Sequence, residues 1–533
     1  MQKRKLSHLS LKKISWQWLV AGLPYCLPLM IYYFHYWLKR YFDMPSLAQV
    51  MNHLAFGVDG IEAANYVYLT FIYFVVLIPL VIALLLALLV KVVRIVGSGF
   101  ILPIVLQLVL NTKAKKNLPN ILNIFGKVFF YLKWLAIIFF IVSNTMNLSV
   151  DMKLKDFLQG EQVFQTANNP DYFARHYIDP KNVIITPPDN KKNLVIIILE
   201  SFEDNFRQPD FFGRNLIPHL LPFENKGMQL TFHQVPPNSY TISAHVSLEC
   251  GLPLKSILFG KNNSNVNKQQ KQIKHILHNA TCLSDILKTH GYYNVFMKGA
   301  TFKTGGMGNF YNSHQFDETY YLEDWNLRGY ALTPHKKGQW GLYDEYIFEE
   351  TYKKLLWLQK HKKNTQQPFL LMVATLDLHP LADSTCTVDA KDKTLDKVVE
   401  CTSASLANFL TKADHHNLFA NSNVVIIGDH LLFGMKGIKM VEWNAVYPVR
   451  HIYNLFLQKN LEPMRYDITH YDLFPSLLEH LGFKIQGGRL GLGYSVFQKH
   501  PSYPNLDEWH KIIGESLQYS KTYLNLWTRP VAR

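Results

Sequence analysis

The sequence predicts an α/β domain with a mainly parallel central sheet, preceded by a block of transmembrane helices. Three observations carry that prediction. An unbroken apolar run of strand length stands at 194–199 (Leu-Val-Ile-Ile-Ile-Leu), and similar runs recur at 293–297, 369–374 and 424–427. Such runs are what strands buried on both faces of a parallel sheet require. Helical patterns lie between them, at 283–289, 343–359 and 401–412, and strands alternating with helices are the mark of an α/β layer structure. Finally, the first 150 residues hold three apolar stretches, 16–38, 67–90 and 124–142, each near the ~20 residues that cross a bilayer as helix.

Charge orients the N-terminal block. Residues 1–150 carry 14 Lys/Arg against 3 Asp/Glu, which accounts for +11 of the net charge of +15. Basic residues precede the first span (Lys3, Arg4, Lys5, Lys12, Lys13) and separate the second from the third (Lys91, Arg94, Lys113, Lys115, Lys116, Lys127). Asp43, Asp59 and Glu62 fall in the other loop. This bias places the N-terminus inside and, after three crossings, everything beyond about Asn144 outside. The apolar run 97–110 is short for a span and reads as interfacial or re-entrant. The first apolar run is too long for a cleaved signal and lacks a small-residue cleavage site. Basic charge set beside apolar spans excludes a nucleic-acid-reading surface, which needs a basic stripe on the folded domain.

The chain therefore divides into an anchor of about three transmembrane helices (1–147), a polar, proline-containing juxtamembrane connector (148–192) and a large extracytoplasmic domain (193–533). Cys26 lies in the first span, whereas Cys250, Cys282, Cys386 and Cys401 lie in the large domain. An even number there suits two disulfides in an oxidising compartment. Pairing Cys250 with Cys282 and Cys386 with Cys401 closes short loops and is one of the three connectivities that four cysteines allow. The segment 261–274, rich in Asn, Gln and Lys, reads as a solvated surface loop.

Ligand sites in open α/β sheets gather at the carboxyl ends of the strands. The first run ends in Glu200, the third in Thr375-Leu-Asp377-Leu-His379, and the fourth in Gly428-Asp429-His430. Any one of these alone is explained as well by a cap or a surface charge. Together, carboxylates and imidazoles delivered from several strand ends form an N/O donor set suited to Zn²⁺ or Mn²⁺. A turn rich in Pro, Asn and Ser then runs into a helical pattern at Thr241. Read as the helix N-cap, Thr241 sits at the positive end of the helix dipole, where an alkoxide and an incoming phosphate are both favoured. A bound cation lowers the pKa of such a hydroxyl further.

In order, the segments Leu-Glu-Ser-Phe-Glu (199–203), Tyr-Thr-Ile-Ser-Ala with Glu-Cys-Gly-Leu-Pro-Leu (240–254), Leu-Asp-Leu-His-Pro (376–380) and Gly-Asp-His (428–430) resemble the alkaline phosphatase/sulfatase superfamily. The resemblance is strongest to the phosphoglycerol transferase I group, which decorates periplasmic glucans. Lipoteichoic acid synthases and phosphoethanolamine transferases look like more distant relatives. It spans about 169–493 and includes Cys-Leu-Ser-Asp-Ile-Leu (282–287), Trp-Gly-Leu-Tyr-Asp (340–344), the four cysteines and Leu-Gly-Leu-Gly (490–493).

The resemblance implies an alkaline phosphatase-like fold in which Glu200, Thr241, Asp429 and His430 surround one divalent metal, Mn²⁺ or Zn²⁺. Thr241 is then the catalytic nucleophile, and His379, Trp340 and Asp377 belong to the substrate side. It implies a phosphatidylglycerol donor, a glycan acceptor, and a multi-pass protein of the bacterial inner membrane with its catalytic domain in the periplasm. Two other readings stand beside it: a phosphoethanolamine transferase acting on lipopolysaccharide or another glycan, and an inactive membrane-bound sensor or scaffold. Sulfate-ester hydrolysis fits less well, because sulfatases need Cys or Ser followed by x-Pro-x-Arg, whereas Thr241 is followed by Ile-Ser-Ala-His. The Trp and Arg that line the glycerol-phosphate pocket of lipoteichoic acid synthases would fall near Gly305 and Met307.

Overall fold

The computed structural model describes residues 11–42, 68–96 and 118–152. From residue 172 onward it describes all but 236, 255–274, 328–339, 380–382, 388–393, 433–439, 459–460, 501–502, 514–519 and 528–533. The chain divides into two compact units, one of N-terminal helices and one comprising the large domain.

The first unit contains α1 (Leu11–Phe42), α2 (Ile78–Val96), which continues from a π-helical turn at Ile72–Leu77, and α3 (Leu118–Asp151). Two stretches, Tyr68–Val90 and Gly126–Val150, are long and apolar enough to cross a membrane. They coincide with the second and third expected spans. The first falls in α1, a helix of 32 residues interrupted by Pro24 and Pro28. The run 97–110 lies outside the described residues. Leu85 and Phe139 are 59% and 73% exposed, so apolar side chains face outward here, as helices solvated by lipid require. Inside the unit, Trp37 packs edge-on against Phe71 at 5.3 Å and donates from Nε1 to the Thr70 hydroxyl at 3.2 Å.

The large domain is built on six strands: β1 (Asn193–Leu199), β2 (Tyr293–Lys298), β3 (Glu318–Tyr320), β4 (Phe369–Ala374), β5 (Ser422–Gly428) and β6 (Asn454–Phe456). Their order is β3-β2-β4-β1-β5-β6. All neighbours run parallel except β6, which returns antiparallel along β5. The four apolar runs thus become the four central strands. β1, β4 and β5 are buried along their whole length, and alternate residues of β1 enter two different cores. Leu194, Ile196 and Ile198 join one, and Val195, Ile197 and Leu199 the other. Burying each such side chain contributes about 1.5–3 kcal/mol relative to exposure, so truncating Ile197 to Ala costs on the order of 2–5 kcal/mol.

The helices that matter for the site are α4 (Thr241–Cys250), α5 (Leu283–Thr289), α6 (Asp344–Thr365), α7 (Leu395–His415) and α8 (His470–His480). α5 has the bounds its pattern predicts. α7 begins earlier than expected, placing Cys401 in its second turn. The expected disulfides are both present, Cys250–Cys282 and Cys386–Cys401. The first ties the end of α4 to the residue that caps α5, and a closed loop of this kind contributes about 2–4 kcal/mol. Part of the expected connector belongs to the domain. Phe173 is fully buried, the Ile178 amide and carbonyl both bond to Gly491, and Ile185–Thr186 pair antiparallel with Lys484–Ile485. Polar, proline-rich composition disguised this docking, because its few apolar residues do the packing. The segment 261–274 lies outside the described residues.

Candidate active site

Strand register brings the site together. Ile198 is level with Ala374 on one side and with Ile427 on the other, while Lys298 is level with Ala374 across the β2–β4 pair. Four parallel strands therefore end on one line. Glu200, Thr375, Asp429 and Lys298 stand at or just beyond their carboxyl ends. Gly428 permits the closest approach: a Cβ there would lie 2.0 Å from the Phe202 carbonyl oxygen.

Glu200, Asp429 and His430 are at most 2% exposed, and one donor atom from each lies within 4.8 Å of the others. His430 Nε2 is 3.3 Å from Glu200 Oε1 and 3.5 Å from Asp429 Oδ2. Asp429 Oδ1 accepts from the amides of Ser201 and His430, both at 2.7 Å. Its Oδ2 is buried and has no hydrogen-bond partner among the described residues. A buried carboxylate oxygen left in that state costs free energy unless a cation or water completes it. Two carboxylates, an imidazole and a hydroxyl make a donor set that fits a single Mn²⁺ or Zn²⁺.

The hydroxyl is that of Thr241, whose Oγ1 donates to Glu200 Oε2 at 3.1 Å. Thr241 is the first residue of α4 and not its cap. Tyr240, extended at φ −154° and ψ 151°, takes the cap position. The expectation of a threonine cap fails because the hydroxyl is committed to Glu200 and not to its own helix. α4 ends at Cys250, and Gly251 follows in the left-handed conformation (φ 61°) that closes helices. Every residue of α4 after Thr241 is buried, while Thr241 itself is half-buried. The Thr241 hydroxyl is thus presented from the start of a buried helix.

The electrostatics are those of crowded charge. Burial pushes the Glu200 carboxyl up, but His379, His430 and Lys298 outweigh it and hold Glu200 ionised, well below the usual range. Asp429 is raised by burial and by the Glu200 charge. Burial opposes the charged form of His430, yet Asp429 and Glu200 lift it to about 9. His430 Nε2 lies between the two carboxylates, so a proton there and a bound cation would compete for the same place.

His379 is near enough to Glu200 to be the largest favourable influence on its charge, and Trp340 packs on its ring with centroids 3.8 Å apart. The two form a wall beside the carboxylates. Asp377, expected on the substrate side, bonds to Asp344. Its Oδ1 accepts from the Asp344 amide at 3.1 Å, while Asp344 accepts from the amides of Leu376 (2.6 Å) and Asp377 (3.3 Å). This reciprocal clamp joins the segment carrying Trp340 to the one carrying His379. Gly341 lets the segment carrying Trp340 pack on the end of β2, since a Cβ there would lie 2.2 Å from the Gly299 carbonyl oxygen. Met307 is a core residue, 1% exposed, and Gly305 packs beside Ile242 at φ 59°. No aromatic or guanidinium group stands at either position.

Several contributors escaped the sequence reading. Lys298, 2% exposed, directly follows an apolar run and was legible by the rule that found Glu200. Burial lowers its pKa, against the pull of Glu200, Asp429 and Asp344. His245, four residues beyond Thr241, is fully buried with Nδ1 2.5 Å from the Tyr311 hydroxyl. Arg450 forms a buried pair with Glu203, which also accepts from the Leu432 amide and so anchors the loop after His430. The other close grouping of ligand-type residues, Cys250, Cys282 and His314, has its sulfurs engaged in a disulfide.

Phosphoglycerol transferase I of Escherichia coli O127:H6 (strain E2348/69 / EPEC) is 32% identical over 272 residues, 49% of this chain and 33% of the relative; the chain spans about a third of that relative's length. The same-named protein of Escherichia coli strain K12 / MC4100 / BW2952 matches equally. Among solved structures, the lipoteichoic acid synthase LtaP of Listeria monocytogenes is similar at 18% identity and a TM-score of 0.47, covering 66% of this chain and 98% of that one. The Streptococcus pyogenes phosphoglycerol transferase GacH is similar at 14% identity and a TM-score of 0.40, covering 70% and 95%. The sulfatase family model matches residues 192–483, more than half of the chain and every residue of the cluster, and the protein therefore belongs to the sulfatase family of the alkaline phosphatase/sulfatase superfamily.

Proposed function

We propose that the protein is a membrane-anchored transferase that moves a phosphoglycerol group from phosphatidylglycerol to a periplasmic or cell-envelope glycan through a phosphothreonine ester on Thr241. The observation that carries this reading is the half-buried Thr241 hydroxyl, 3.1 Å from Glu200 and in front of a buried Glu200–Asp429–His430 cluster. A hydroxyl so placed is a nucleophile for a tetrahedral ester. The relatives named phosphoglycerol transferase I support phosphoglycerol as the group transferred.

Glu200, Thr241, Asp429 and His430 would hold the cation. When bound, it supplies Lewis-acid stabilisation of charge on the threonine and phosphoryl oxygens. In the first step Oγ1 gives up its proton to solvent through Glu200, the acceptor of its hydrogen bond, and Glu200 orients the resulting alkoxide for in-line attack on phosphorus. The Thr241 oxygen–phosphorus bond forms as the bond to the diacylglycerol oxygen breaks, and His379 gives that leaving oxygen its proton. Lys298, buried at the end of β2, balances negative charge on the phosphoryl oxygens. In the second step His379 takes the proton of a glycan hydroxyl, which attacks the ester and restores Thr241. The helices of the first unit keep the domain at its lipid substrate, raising the effective donor concentration.

The test is diacylglycerol release by the full chain and by Thr241→Ala, with Mn²⁺ or Zn²⁺, from phosphatidylglycerol and phosphatidylethanolamine presented separately. Release from phosphatidylglycerol that disappears in the variant is expected. Release from phosphatidylethanolamine alone would move the assignment to phosphoethanolamine transfer, and release from neither would contradict transferase activity on these lipids.

A further inference from the structure

We infer that Ser201 is a positioning residue for the divalent cation, holding the Glu200 and Asp429 carboxylates in one arrangement; this rests on the metal-dependent reading above. Ser201 is fully buried and adopts φ 50°, one of five non-glycine residues with positive φ among those described. A side chain in that region carries a steric cost that glycine avoids. Backbone strain of this kind persists where surrounding contacts over-determine it, and such contacts cluster at functional sites.

Here the contacts are specific. The Ser201 amide donates to Asp429 Oδ1 at 2.7 Å, and the Ser201 hydroxyl donates to Glu200 Oε1 at 2.9 Å. One residue therefore bonds to two like-charged groups that arrive from different strands, β1 and β5. It ties down one oxygen of each. Asp429 Oδ2 is left without a hydrogen-bond donor, and Glu200 Oε2 is left facing Thr241. With the hydroxyl removed, Glu200 loses a fixed donor on Oε1 and its carboxylate can rotate away from the orientation that meets Thr241 and Asp429. Groups that orient metal ligands in this way change metal affinity by about 10–100-fold when removed.

The two sources of any defect are separable. Ser201→Gly keeps the amide and relieves the steric cost at φ 50°, so it removes the hydroxyl from a backbone at least as comfortable. Ser201→Ala removes the hydroxyl and keeps the cost. The full chain in detergent is stripped with a chelator and titrated calorimetrically with MnCl₂ or ZnCl₂ alone, and the melting temperature of each metal-free protein is recorded. Both variants are expected to bind about 10–100-fold more weakly, with the metal-free Ser201→Gly protein melting no lower than the wild type. A Ser201→Gly protein that binds metal as the wild type does would overturn the inference, whatever Ser201→Ala does. A wild-type protein that binds neither metal would overturn the metal-dependent reading as well, so the two failures are distinguishable.

Discussion

The two sides of the active site are built differently. On the side of Glu200, Thr241, Asp429 and His430, strand ends and a buried helix fix each group. The carboxylates and the imidazole are closed off from solvent, and hydrogen bonds from Ser201 and His430 hold Asp429. On the side of Trp340 and His379, both rings are half-buried and sit on loops, joined by the Asp344–Asp377 clamp and by the contact between them. Preorganised electrostatics need rigid supports, whereas recognition of a variable partner is commonly placed on loops that a rigid scaffold positions. The difference is what the proposed mechanism requires, with bond-making on the first side and leaving-group and acceptor handling on the second.

Removing a group from the closed side has the larger effect. His430→Ala is expected to weaken metal binding beyond the ~10–100-fold of an orienting residue and to abolish measurable transfer, with excess metal restoring little. Wild-type metal affinity in this variant would remove His430 from the ligand set. On the open side, His379→Ala is expected to lower kcat by roughly 10²–10⁴-fold, the range for loss of a general acid–base group, while metal affinity stays as in the wild type. A parallel loss of metal affinity would erase the distinction between the two sides.

Glu249, at the far end of α4 from Thr241, provides a smaller and purely energetic contrast. It is fully buried, accepts from the Ser284 amide and hydroxyl on Oε2, and has no hydrogen-bond partner on Oε1 among the described residues. Burial raises its pKa to about 7, against those two bonds. The folded state thus holds a proton that the unfolded chain releases near the ordinary carboxyl value. The resulting stability is fully present below about pH 4 and is lost as pH rises through about 7, by on the order of 3 kcal/mol. Melting curves of the metal-free protein between pH 4 and 8 should show this fall, and Glu249→Gln should make it shallower, leaving the part that Asp344 and Asp429, also raised to about 7 by burial, contribute. An equally steep fall in the variant would place the titrating group elsewhere.

What could be read in advance follows from range. The central strands were legible because burial on both faces forces continuous apolar runs, and Glu200, Asp429 and His379 were legible because they leave those runs. Lys298 obeys the same rule at the end of β2. Ser201 was out of reach, since its positive φ shows only in the folded backbone and its second carboxylate partner, Asp429, comes near only when β1 and β5 lie side by side. The same holds for Asp377. Next to His379 in sequence it reads as part of a substrate site, but its partner is Asp344, brought near only by the packing of α6 against β4. The residues around Phe173 were missed for the opposite reason, a polar composition in which a few apolar side chains dock the segment.

The most direct test of the central claim is to incubate the metal-loaded full chain with phosphatidylglycerol in the absence of any glycan, quench with acid, and map the modified peptide by mass spectrometry. A phosphoglycerol adduct on Thr241, discharged when a glycan acceptor is added before quenching, is the result predicted. Diacylglycerol release without an adduct on Thr241, or with the adduct on another residue, would contradict the account.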